Sequence, residues 1–169
     1  MAAWVDLPTF RAFVGNASSN DDAVLQVAIN LACGKVDKLC GPTITTACSE
    51  HVKGNGFSLA LAYRAASITS LATWPWGEAL DPNIFVPEGQ LISRKDGLFI
   101  VADLTVGYNA GAATAPDWAI GAACLIGNQY FKSRLRPSLA DPSTMAGFLV
   151  PNQAKELMED YLLASAGFA

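Results

Sequence analysis

DDAVLQVAINLACGKVDKLCGP, residues 21–42, is the stretch that decides the fold. Leu25, Ala28, Ile29, Ala32, Val36 and Leu39 recur at steps of three and four, which lays one apolar stripe along a helix of about 20 residues. Cys33 and Cys40 flank that stripe. Ser19 through Asp22 has the S-x-x-D spacing of a capping box, and Asp21 and Asp22 sit where the helix dipole favours negative charge, so the helix starts there. Gly41 followed by Pro42 ends it: glycine accepts the left-handed conformation past a helix, and proline cannot continue one.

Upstream, Asp6 caps a short first helix that takes Pro8 in its first turn, carries Phe10, Phe13 and Val14, and stops at Gly15. Downstream, over residues 47–108, the pattern changes to short runs of period two broken by Gly, Pro and Asp, the signature of an antiparallel sheet. SEHVK (49–53), SLALAY (58–63), SITSLAT (67–73) and VADLTVGY (101–108) are the predicted strands. GNG at 54–56 predicts a hairpin that pairs the first two of them directly. Residues 74–96 hold three prolines and two tryptophans with little periodicity. They predict a long loop that carries contacts through Trp74, Trp76 and Phe85. KDG at 95–97 makes a second turn.

Pro116 opens a third helix in which Trp118, Ile120, Ala123, Leu125, Ile126, Tyr130 and Phe131 cover nearly every direction, as in a buried helix. It ends in KSRLRP, where Lys132, Arg134 and Arg136 complement the negative end of the dipole and offer a contact for an acidic partner or for DNA phosphates. A last helix from Pro151 aligns Ala154, Leu157, Met158, Tyr161 and Leu162 on one side. The expected fold class is α+β: a helical domain with a long second helix, a buried third helix and a C-terminal helix. A small antiparallel sheet (47–108) is inserted between the second and third. Residues 1–150 are expected to form one domain, and 151–169 a C-terminal helix and tail.

Hydrophobic residues make up 51% of the chain and charged ones 15%, against about 25% charged in an average soluble domain. A globule this short of charge is expected to cover part of its exterior with other protein chains. A membrane is the rival explanation, and it fails on run length, because WAIGAACLIG is half of the roughly 20 apolar residues a spanning helix needs. The longer FSLALAYRAASITSLATWPWG carries Arg64 and Pro75. MAAWVD lacks the basic start of a signal peptide, so a cytoplasmic site of synthesis is expected. A net charge of −4 argues against a broad basic face for nucleic acid, though it suits a channel through which DNA slides.

His51 is the only histidine. Cys48 and His51 have a C-x2-H spacing that would supply half of a zinc site, with Cys33 and Cys40 as the other half. Those two thiols lie seven apart on one helix flank, however, where cysteines act as small apolar fillers. A thiol nucleophile built from Cys48 and His51 is the enzymatic alternative, and it lacks an orienting partner. No phosphate loop, G-x-S-x-G or H-E-x-x-H occurs, so no catalytic residue, metal or cofactor is expected.

In order along the chain, three stretches resemble the small head-to-tail connector (adaptor) proteins of long-tailed bacteriophages. DDAVLQVAINLACGKVDKLCG is similar to that family's opening helix, with an acid pair, an apolar stripe and a final Cys-Gly. SITSL is similar to the strand after its hairpin. VGYNAG through APDWAIGAACLIGNQYFKSRLR resembles its Tyr-x-x-Gly turn, a proline at a helix start and a buried helix ending in Arg. The resemblance runs over residues 6–136, and the chain departs from it in the WPWGEALDPNIFVPEG loop and the apolar tail ASAGFA. It implies a structural virion protein at the head-tail interface, assembled in a bacterial host cytoplasm as a dodecameric ring that prolongs the DNA channel below the portal. It also implies no catalysis and no cofactor, with double-stranded DNA passing through without sequence recognition; no membrane partner is expected, on the run lengths above. By the same analogy, Leu157, Met158, Tyr161, Leu162 and Phe168 would dock on the portal. The 74–89 loop would face a head-closure or other tail-side protein. Another virion joint, such as a head-closure stopper or tail terminator, is the alternative of the same kind.

Overall fold

The helical stripe forms as its spacing predicts. In the computed structural model, which describes residues 3–15, 18–54, 56–135 and 150–163, α2 runs Asp22–Cys40. Leu25, Ala28, Ile29, Ala32, Val36 and Leu39 are all buried, with Cys33 and Cys40 beside them. Its capping box lies one residue earlier than the sequence suggests. Ser18 and Asp21 form the box around a 3-10 turn at Ser19–Asp21. That turn uses up Asp21 in the cap and frees Asp22 to pair with Arg11 of α1 (Leu7–Val14). Asp6 caps α1 by accepting a hydrogen bond from the Thr9 N–H at 2.7 Å.

The chain divides into two compact units. A helical unit takes Met1–Leu39 and Ala115–Leu162, and a β unit is built on Cys40–Thr114. The C-terminal helix therefore belongs with the other helices. In the helical unit, α3 (Asp117–Leu135) buries Ala119, Ala122, Ala123, Cys124, Ile126 and Phe131, as an all-round apolar helix must. Phe10 of α1 is fully buried against Gly127 of α3. The last helix, α4 (Asn152–Met158), continues into a 3-10 turn at Glu159–Tyr161 and packs on α3 with Ala154 and Met158 inward.

The β unit has two sheets where the sequence suggests one. Strands β1 (Thr46–Val52), β3 (Ala65–Thr73), β4 (Ala79–Leu80) and β7 (Leu104–Ala110) form an antiparallel sheet in the order β1-β7-β3-β4. Strands β2 (Ser58–Ala60), β5 (Phe85–Glu88) and β6 (Leu91–Arg94) form another, in the order β2-β6-β5. The expected loop at 74–96 thus contains three strands. They escape a periodicity test because they are two to four residues long and are broken by Pro82, Pro87 and Gly89.

The hairpin expected at GNG does not form, since β1 pairs with β7 and β2 with β6. Those glycines serve close backbone approach instead. A side chain on Gly54 would collide with the Ala102 carbonyl, and the Gly56 carbonyl accepts from the Ile100 N–H at 2.8 Å. The core of the unit gathers Val52, Leu59, Leu71, Phe85, Ile92 and Ile100 with Leu104, Val106 and Tyr108 of the central strand β7. Beyond β7, Gly111 takes φ +83, and a Cβ there would stand 2.6 Å from the Ile44 carbonyl oxygen, which is why the Tyr-x-x-Gly motif ends in glycine.

Candidate assembly surfaces

Three segments converge on Asp103 at one end of the β unit. Its backbone carbonyl accepts from the Trp74 N–H at 2.8 Å, and its Oδ1 from the Gly54 N–H at 2.9 Å. Its Oδ2 lies 3.5 Å from His51 Nε2, and the His51 ring rests against Trp74 with centroids 4.8 Å apart. Asp103 thereby ties the end of β1, the end of β3 and the start of β7. On this scaffold stand exposed large apolar side chains: Trp74, Trp76 (79%), Phe57 (65%), Leu98, Phe99 and Val101. Phe57 and Phe99 meet edge to face, 5.2 Å apart at 84°, a favoured aromatic geometry.

Sequence reasoning finds part of this surface. Trp74 and Trp76 are exposed as the loop expectation requires, but Phe85 is only 5% exposed and belongs to the core of β5. Phe57, Leu98, Phe99 and Val101 are missed. The strand expected from Val101 begins only at Leu104, and of Leu98, Phe99, Ile100 and Val101 only Ile100 turns inward. Four consecutive apolar residues directly after a KDG turn were the available signal.

In the helical unit the structure brings Leu157 and Tyr161 to the surface one turn apart, both partly exposed. Leu157 sits over Gly121 of α3, and Tyr161 stacks on Trp118 with ring centroids 4.1 Å apart and planes 8° apart. Met158 points the other way and is fully buried in the core of the unit, and Leu162 is half-buried. Lys132 is exposed near the end of α3. The Arg134 side chain, Arg136 and Phe168 lie outside the described residues.

Cys48 and His51 do not form a dyad. Three apart on β1, they point to opposite faces of the strand. The Cys48 thiol contacts the Thr46 carbonyl at 3.6 Å, and burial, helped by the Glu50 charge, pushes it above the ordinary thiol range. Glu50 is itself engaged: its Oε1 accepts from the Tyr108 hydroxyl at 2.8 Å and from the Ala62 N–H at 2.9 Å. Among the described residues, no three His, Cys, Asp or Glu side chains group as metal ligands, and no helix is long and apolar enough to cross a membrane.

The whole chain has the α+β fold of particle-neck chains. It is similar over 99% of its length, and 94% of the other chain, to a chain from the neck of an empty GTA (gene transfer agent) particle computed with C6 symmetry, with TM-score 0.65 and 16% identity. Over 100% of its length, and 95% of the other chain, it is similar to a chain from the neck of a native GTA particle computed with C12 symmetry, with TM-score 0.63 and 16% identity. No protein-family model and no curated protein matches it.

Proposed function

We propose that this chain is a structural subunit of a virion neck: a head-to-tail adaptor that closes into a ring beneath the portal and carries the DNA channel on toward the tail. The observation that carries the proposal is the match along essentially the full chain to neck chains of particles with C6 and C12 symmetry. Subunits of a cyclic ring bury two different faces against their neighbours. The low charge content and the exposed Phe57 and Phe99 of the β unit fit that demand. The long α2, the buried α3 and the inserted sheets, taken in order, favour an adaptor over a stopper or tail terminator, which are mainly β. In this role the chain performs no catalysis and holds no cofactor, and it resides at the head-tail interface after assembly in the host cytoplasm.

Leu157 and Tyr161 are the proposed portal contacts, and Trp74 and Trp76 the proposed tail-side ones. Because Ala154 and Met158 are buried on α3, removing the C-terminal helix would damage the fold, so a point substitution is the sounder probe. Negative-stain images of the purified full chain, alone and bound to portal-bearing heads, test the proposal. The expected particle is an annulus with a hole of roughly 20 Å or more, wide enough for a DNA duplex. A chain that stays monomeric in both settings overturns it. Leu157→Glu is expected to abolish binding to heads while leaving the annulus intact, and retained binding overturns the portal assignment.

A further inference from the structure

The KDG turn at 95–97 holds the sole Asp-Gly step in the sequence. Glycine has no side chain to shield its nitrogen or to restrict its backbone, so its amide can reach the carboxyl carbon of the residue before it. In the folded β unit that approach is blocked at both ends by one residue. Arg94 Nε and Nη2 donate to Asp96 Oδ1 and Oδ2 at 2.9 and 2.6 Å, a two-bond fork on the carboxylate. The Arg94 main-chain carbonyl accepts from the Gly97 N–H at 3.0 Å, which occupies the nitrogen as well. Asp96 Oδ1 also accepts from the Leu98 N–H at 3.1 Å, tying the carboxylate to the chain beyond Gly97.

We infer that Asp96–Gly97 is a site of succinimide and isoaspartate formation, and that Arg94 holds it closed in the folded chain. In the reaction the Gly97 nitrogen attacks Asp96 Cγ and gives up its proton. The new C–N bond closes the succinimide ring, and the bond from Cγ to its hydroxyl breaks, the hydroxyl leaving with that proton as water. Water then reopens the ring at either carbonyl. Opening at Cγ restores aspartate. Opening at the main-chain carbonyl routes the backbone through the side chain and leaves isoaspartate, which lengthens the chain by a carbon. The sequence of steps needs only water.

The departing hydroxyl must come from a neutral carboxyl, because a carboxylate offers only an oxide. The Arg94 fork first, and the Leu98 N–H after it, hold the Asp96 carboxyl below the ordinary aspartate range, so the reactive form is scarce at neutral pH. Both side chains are partly exposed, so the clamp opens with local motions of the turn and sets a rate rather than an absolute block. The segment just beyond the turn is the one at stake. There Ile100 is buried and donates its N–H to the Gly56 carbonyl, and Phe99 meets Phe57. An extra backbone carbon at Asp96 works against that register.

The test is prolonged incubation of the full chain at neutral pH, followed by digestion with Asp-N protease, which cuts before aspartate and not before isoaspartate. Modified chain leaves residues 81–102 as one fragment, where unmodified chain gives 81–95 and 96–102. Arg94→Ala is expected to accumulate the joined fragment several-fold faster than the parent. Arg94→Lys, which keeps the charge and loses the fork, is expected to fall between them. The parent unfolded in urea is expected to react at least as fast as Arg94→Ala. Circular dichroism at the incubation temperature checks that Arg94→Ala is folded; if it is not, Arg94→Lys and the comparison of folded with urea-unfolded parent decide. A parent that reacts as fast folded as in urea, or folded Arg94 variants that react no faster than the parent, overturn the inference.

Discussion

Tyr108 and Glu50 are diagonal neighbours across the β1–β7 ladder, where Tyr108 stands opposite Cys48 and Glu50 opposite Val106, and the tyrosine hydroxyl donates to the carboxylate at 2.8 Å from a side chain that is itself buried. The same hydroxyl accepts from the Tyr63 N–H at 3.3 Å, and the carboxylate accepts from the Ala62 N–H. One pair thus fixes two strands and the turn that follows β2.

Burial first, then the hydrogen bond to Glu50 and its charge, raise the Tyr108 hydroxyl well above the ordinary tyrosine value of about 10. The folded state therefore holds this proton more tightly than the unfolded chain does. Its contribution is complete below pH ~10 and is lost as pH rises beyond that. Chemical denaturation followed from pH 8 to 11 should show stability falling above pH 10, and Tyr108→Phe should flatten that fall. At neutral pH the same variant should cost about 1.5–3 kcal/mol, the usual range for a hydrogen bond to a charged group.

Gly54→Ala should destabilise the β unit by at least about 1–3 kcal/mol, because the added carbon meets the backbone of Ala102 rather than a side chain that can turn away. Gly56→Ala, where the nearest atom is the Ser58 carbonyl oxygen at 3.4 Å, should cost much less. Urea midpoints of the two variants make the comparison.

Loss of the Trp118 stack in Tyr161→Ala should cost about 0.5–1.5 kcal/mol and lower the melting temperature by a few degrees. Tyr161→Phe keeps the ring and should melt close to the parent.

Gly127→Ala should loosen the helical unit by displacing Phe10, whereas Gly34→Ala should stabilise the free subunit by about 0.5–1 kcal/mol. Opposite signs in thermal melts are the expected result.

Thiol alkylation at pH 7 should find no fast cysteine. Burial lifts Cys124 to about 11 and raises Cys33 and Cys48 as well, and only the thiolate reacts. Cys48 modified faster than a free cysteine would revive a catalytic role for it.

The helices were legible because their signals are local: Asp6 as a cap, the Leu25 to Leu39 stripe, Pro116 before an all-apolar run. The β unit was legible only as a class. GNG has the composition of a hairpin, but what holds Gly54 and Gly56 is the chain at 100–103, far away in sequence, and no local rule sees that contact. Phe85 and Phe99 stand in equally apolar neighbourhoods of the chain, and only the pairing of β5 with β6 sends one inward while the other stays out. The apolar face of α4 divides the same way: Met158 and Leu157 are adjacent, and only the position of α3 decides which of them is core.

Where the chain passes from α2 into the strands and back toward α3, its two crossings run side by side. Ile44 bridges Ala112 in parallel, the Thr45 N–H donates to the Ala112 carbonyl at 2.9 Å, and the Ala112 N–H donates to the Thr43 carbonyl at 3.0 Å. Whatever lies between those crossings is hung from a single stapled stem. The strands form a cassette that can be lengthened, trimmed or exchanged for another graft while the stem itself is kept.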